Sequence, residues 1–388
     1  MNYKIKVSLK GCVFVSVSKE ALRGYLLEEV LAYLIKGTGY NLLVDESQDM
    51  EELKNRRHGL VVKGRGAEHQ ADVLGQLKWI PAFTYPIRLF VEAKFRKTKT
   101  GIGPVRNAVG IIEDLNQNYT IKGTKKILVR RYNYNYVLFS VSGFSEDAVN
   151  MAIAHRISLV DLSASDFKPL IECIDKTADR IIKAVGFSEE IASAGDDSMN
   201  RGLGDYRRYS STNFINLLRK YLRIELGTFP IELLQEENIV LFPDLSEIGQ
   251  EIFNALFRVV KEEYKMLFVA MANGPFMLVI KAEDPQKFLS FARENPSQRI
   301  NISWNRSDND GRRWTIVPID CGNDGFKLTF TLPEELSKFI FESDDPKETA
   351  LEIKSEIFSD ITIYNFNHSK DELYRLRYLN VGSNEQRR

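Results

Sequence analysis

Cysteine is scarce in this chain. Cys12, Cys173 and Cys321 lie far apart, are odd in number and form no CxxC pair, and only four histidines accompany them. A disulfide framework and a structural zinc site are therefore not expected, which implies a reducing compartment. Net charge is absent too, with 53 Lys plus Arg against 53 Asp plus Glu. No apolar run approaches the ~18 residues of a membrane span. The stretch from Met1 to Lys19 alternates polar and apolar residues instead of placing an apolar signal core behind a basic end. The expectation is a cytoplasmic protein, neither spanning a membrane nor secreted. A content of 44% hydrophobic and 27% charged residues excludes disorder and collagen, and 388 residues favour two domains over one.

Hydrophobic periodicity organises the chain. Tyr3 to Leu9 and Cys12 to Val17 alternate with period two around Gly11, as in a hairpin. From Lys19 the spacing turns helical, with Leu22, Leu26, Leu27, Val30, Leu31 and Leu34 as one stripe ending near Gly37. Strands are expected over Ala71 to Leu77, Leu89 to Phe95, Tyr136 to Val141 and Ile157 to Val160. Helices are expected from Pro104 to about Asn118 and from Ser145, as N-cap, to about Ala154. Strands separated by helices imply an α/β domain over residues 1–165, with a mixed, partly parallel sheet flanked by helices on both faces. An amphipathic helix over Asp166 to Val185 and the turn-rich run Ala194 to Gly204 make residues 166–204 a connecting segment. Residues 205–388 read as a second, α+β domain: helices over Thr212 to Leu226, Leu245 to Tyr264 and Pro285 to Glu294, and strands from Leu267 onward. The Asn309-Asp310-Gly311 turn lacks the glutamate that would close a calcium loop, so it reads as the tip of a hairpin.

One constellation carries chemistry. Residues two apart on a strand share a face, so Glu92 and Lys94 lie together. If the preceding strand pairs with theirs, Asp72 converges on Glu92. Two opposed carboxylates repel, and a hard divalent cation such as magnesium, an oxygen-liganded ion that keeps several waters, offsets that repulsion. Such an ion activates water against a phosphodiester, and a nearby lysine orients that water or offsets phosphate charge.

Asp72 followed by Glu92-Ala93-Lys94 resembles the PD-(D/E)XK nuclease motif, and its surroundings resemble the Mrr-like restriction endonuclease branch. Gly24-Tyr-Leu-Leu-Glu-Glu-Val-Leu-Ala32 is similar to that branch's first helix, Ala67 to Gly75 to its aspartate-bearing strand, and Val141 to Asp161 to its late strand, helix and strand. The resemblance covers about residues 20 to 165. It implies a restriction-endonuclease-like sheet, Asp72, Glu92 and Lys94 as catalytic residues with Glu28 as a helix-borne contributor, Asp72 and Glu92 as metal ligands, and magnesium, with manganese as substitute, as cofactor. Two features depart from the pattern. The 20-residue step from Asp72 to Glu92 is longer than the family's hairpin, leaving the loop with Trp79 and Pro81 to absorb the excess. Many members of the branch carry Gln in place of Glu92.

Charge is segregated in the same half. Residues 85–135 hold eleven Lys and Arg against three Asp and Glu. Arg96, Lys97, Lys99, Lys125 and Lys126 are the candidate contacts to a DNA backbone. Tyr132, Tyr134 and Tyr136 alternate just beyond; packing is weighed above base stacking for them. His69, beside Asp72, is read as a hydrogen-bonding support. The expected function is a magnesium-dependent DNA endonuclease of restriction or anti-phage defence, a homodimer or a partner within a defence system. The rival is a non-catalytic DNA-binding protein that retains the fold.

Overall fold

In the computed structural model, the described residues are 17–57, 59–117, 131–193, 211–230, 233, 245–264, 267–272, 277–304, 313–319, 325–332, 334–367 and 370–379. The hairpin expected over Tyr3 to Val17, but for its last residue, the linker Ala194 to Gly204, the Asn309-Gly311 turn, and Lys125 and Lys126 lie outside them. The fold is mixed α/β.

Its elements fall into two compact units that interleave along the chain. One unit is Met1–Val30 with Pro169–Glu263, and the other is Leu31–Lys168 with Tyr264–Arg388. The first draws on α1 (Lys19–Lys36), α4 (Lys168–Ser193), α5 (Ser211–Glu225) and α6 (Leu245–Arg258). Its apolar stripes bury Leu22, Leu26, Leu27, Ile174, Leu222 and Leu256. Ion pairs also tie these distant segments together. Lys19 pairs with Asp179 at 2.5 Å, Arg23 pairs with Asp175, and Arg223 reaches the buried Glu29 at 3.1 Å. The polar side of α1 thus finds its counter-ions on α4 and α5, far along the chain.

The second unit begins with β1 (Tyr40–Leu42), then β2 (Leu53–Arg56), β3 (Gly59–Lys63) and β4 (Glu68–Gln70), which form a small antiparallel sheet of their own. Next come β5 (Val73–Leu77), β6 (Ile87–Lys94), α2 (Ile102–Asn116), β7 (Asn133–Ser140), α3 (Glu146–His155) and β8 (Ser158–Asp161). The main sheet runs β1-β5-β6-β7-β8, with the first two pairings antiparallel and the last two parallel. This is the mixed sheet that the alternation of strands and helices predicts. Ser145 caps α3 as expected, accepting from the Ala148 N–H. Gly75 lets β1 close in, since a Cβ there would meet the Tyr40 Cβ at 3.1 Å. Phe90, Tyr134, Tyr136 and Leu138 from the sheet and Val105, Ala108 and Ala148 from the helices share one buried core.

The chain closes with β9 (Leu267–Met271), β10 (Met277–Ala282), α7 (Pro285–Glu294), β11 (Ser297–Trp304), β12 (Arg313–Pro318), β13 (Leu328–Thr331), α8 (Glu334–Phe341), α9 (Pro346–Glu356), β14 (Asp360–Asn367) and β15 (Lys370–Tyr378). The seven strands form a closed barrel, which leaves no open sheet edge. Inward residues Trp314, Phe330, Ile316 and Leu376 pack with Phe288 and Phe358. Asp166, in the short turn before α4, pins this barrel by pairing with Arg313 and accepting from Thr331 Oγ1 at 3.2 Å.

Candidate active site

The β5–β6 register settles where the predicted carboxylates meet. Val73 faces Val91 in an antiparallel pair, and the Asp72 N–H donates to the Val91 carbonyl at 3.0 Å. Asp72 therefore stands across from Glu92, one step beyond the last registered pair. Its Oδ2 accepts from the Ala93 N–H at 2.7 Å, which fixes the carboxylate at the end of the strand. Apolar residues fill the middle of both strands, so the acidic pair sits where the sheet gives way to partial exposure.

Glu92 is held from two sides. Lys94 Nζ pairs with its Oε1, and the Tyr136 hydroxyl donates to its Oε2. Tyr136 comes from β7, parallel to β6, and its ring stacks on Phe90 with centroids 5.1 Å apart. Burial pushes its hydroxyl far above the usual phenol range, and the negative charges of Glu92 and Asp72 push it further. The phenol therefore keeps its proton, and stays a donor to Glu92, at neutral pH. Sequence periodicity marks Tyr136 as a buried ring, which it is, but hides the hydroxyl; the signal lay in its place one strand away from the acidic pair.

The structure thus brings Asp72, Glu92 and Lys94 together. Glu28 belongs to the other compact unit, where Arg219 is its partner. Arg219 also stacks over Tyr25, 4.5 Å from the ring centroid. His69 hydrogen-bonds Asp114 at 2.7 Å, and the Gly66 and Ala67 N–H groups donate to the same carboxylate. That cluster ties the turn before β4 to α2. Burial acts to raise the Asp114 carboxyl, but His69 and the two N–H donors outweigh it and hold the group below the usual range.

Arg96, Lys97 and Lys99 follow β6 directly and are exposed. Arg88, counted with that patch in the sequence, is a correction. Its guanidinium is buried, pairs with Asp49 at 2.5 Å, bonds Tyr134 Oη at 3.1 Å and lies 3.3 Å from the Tyr132 ring centroid. Strand alternation points it inward with Phe90 and Glu92, where it is a structural ion.

The donor chemistry of Asp72 and Glu92, hard oxygens facing across two strands, fits a magnesium-like ion. Among the described residues no group of three or more His, Cys, Asp or Glu is gathered closely enough to hold a metal. The protein would supply two ligands, leaving other positions to water or substrate. Among the described residues no helix is long and apolar enough to cross a membrane. No family model and no curated protein matches the chain. A solved crystal structure titled as a protein of unknown function, AF1548, is similar at 16% identity over 53% of this chain and 99% of that one; with a TM-score of 0.26 it carries no argument about fold or function.

Proposed function

We propose that the chain is a magnesium-dependent DNA endonuclease, similar to Mrr-like restriction enzymes and working in restriction or anti-phage defence. The observation that supports this is the register that sets Asp72 opposite Glu92 with Lys94 on the same carboxylate. Asp72 and Glu92 would hold the ion, for which manganese is a substitute. When bound, it supplies charge to offset the phosphate and a lowered water pKa. Lys94 orients the attacking water and offsets negative charge on the phosphate. Tyr136 keeps the Glu92 carboxylate in one orientation, and exposed Arg96, Lys97 and Lys99 attract the DNA backbone. Double-strand cleavage with one site per chain favours a homodimer or a partner protein, and the barrel-containing C-terminal part recognises a target or signal. Incubation of purified protein with plasmid DNA, with and without magnesium, tests the reading. Asp72→Ala and Glu92→Ala should each abolish cleavage in a folded protein, and wild-type turnover by either variant would overturn it.

A second reading, a DNA-binding protein without catalysis, is favoured by one observation. Both oxygens of Glu92 are engaged within the protein, by Lys94 and by Tyr136. It predicts salt-sensitive DNA binding with no cleavage under any divalent ion.

A further inference from the structure

The hairpin that carries Asp72 and Glu92 has a second end. Residues 78–86 join β5 to β6 there, about 17 Å along β6 from Glu92 at the usual strand rise. The loop exposes Trp79, Ile80, Phe83 and Tyr85, with Phe83 wholly in solvent. Phe83 also has φ of +62°, a left-handed conformation that bulky side chains rarely adopt. The left-handed backbone closes the turn at residues 82–83, a place that glycine or asparagine usually takes, and the fully exposed ring gains nothing from packing there; such outliers collect at functional sites.

The base of the loop is anchored. The Lys78 N–H donates to the Gly39 carbonyl at 3.0 Å, and the Asn133 N–H to the Pro86 carbonyl at 2.9 Å, so the strands on either side hold both stems. No Asp or Glu occurs between Asp72 and Glu92, and the exposed Lys78 is tied through its backbone N–H to Gly39, just beyond Lys36 at the end of α1. Burial lowers the Lys36 ammonium, and the charge of Lys78 lowers it further, as two like charges brought close require.

We infer that residues 78–86 form a base-stacking surface for single-stranded nucleic acid, with Trp79, Phe83 and Tyr85 as platforms and Lys36 and Lys78 as phosphate contacts. Every base has a face for an aromatic ring, so such surfaces bind strands with little regard to sequence. Three of the four exposed side chains are flat rings and only Ile80 is aliphatic, which favours bases over lipid chains. The inference rests on the nucleic-acid reading above for its choice of polyanion. Its site is nonetheless separate from the carboxylates.

The test is binding of the intact protein to a short fluorescein-labelled oligothymidylate, by anisotropy in EDTA so that no cleavage intervenes, beside sedimentation with phosphatidylcholine–phosphatidylserine vesicles. Phe83→Gly should weaken strand binding about tenfold, the loss of one stacked base, and Tyr85→Ser should do likewise. Phe83→Gly should keep or raise the melting temperature, because glycine accepts the left-handed backbone. Unchanged strand affinity in both variants would overturn the inference, and so would vesicle binding that the same substitutions remove. Plasmid cleavage with magnesium is read separately: its absence sinks the endonuclease reading, while the strand affinity stands or falls on the loop variants alone.

Discussion

The Tyr136 hydroxyl donates to Glu92 from a neighbouring strand, so the carboxylate at the centre of the candidate site is oriented by a phenol that burial keeps protonated. Tyr136→Phe keeps the ring against Phe90 and removes only the donor. If Glu92 is a metal ligand, turnover should fall by about 10- to 100-fold, as for other partners that orient ligating groups. Cleavage kinetics together with a thermal melt distinguish this from unfolding.

The same hydroxyl predicts alkaline behaviour. Its folded-state pKa is raised above the ordinary 10.0, so its contribution to stability is complete below about pH 10 and is lost as pH climbs beyond it, where the unfolded chain ionises first. The wild-type urea midpoint should therefore fall more steeply than that of Tyr136→Phe above about pH 10. Parallel falls in the two proteins would refute the assignment.

Asp49 is the counter-ion of a guanidinium sealed from solvent. Asp49→Ala leaves Arg88 buried and uncompensated, at a cost of about 3–5 kcal/mol. Arg88→Met, which removes the charge and keeps much of the volume, should cost less. Urea unfolding of the two variants checks the order. Burial acts to raise the Asp49 carboxyl, but Arg88, with Tyr132 and the Glu52 N–H, more than reverses it. The stability from this pair is present above about pH 4 and declines below it.

In the barrel, Trp314 is enclosed by Trp304, Phe330 and Phe358, with centroid separations of 5.5 to 6.1 Å. Trp314→Ala should destabilise the fold by about 3–5 kcal/mol through reduced burial and the cavity left behind. A denaturant midpoint shifted by far less would mean that the barrel collapses around the gap.

Exposed Arg96 and Lys97 lie immediately past the candidate site. If they neutralise phosphates, replacing both by Gln should flatten the plot of log affinity against log salt by about 1 for each phosphate left without its cation. An unchanged slope would place the DNA elsewhere.

Much of the secondary structure is legible in the chain. The Leu22 to Leu34 stripe becomes α1, the runs around Leu74, Phe90 and Val137 become adjacent strands, and Ser145 caps α3, because local burial and capping write their period directly into residue order. β1 and β4 have three residues each, and Lys54-Asn55-Arg56 and Glu68-His69-Gln70 lack an alternating apolar face, so β2 and β4 leave little trace. The grouping of Asp72, Glu92 and Lys94 follows from strand period plus the assumption that two strands pair. What tertiary structure alone decided is which charges are used up. Arg88 became a buried ion against Asp49, Glu28 met Arg219 from nearly two hundred residues away, and Tyr136 delivered its hydroxyl to Glu92. Pairings across strands and distant helices depend on register and on the order of strands in the sheet, and a linear pattern of apolar and polar residues encodes neither.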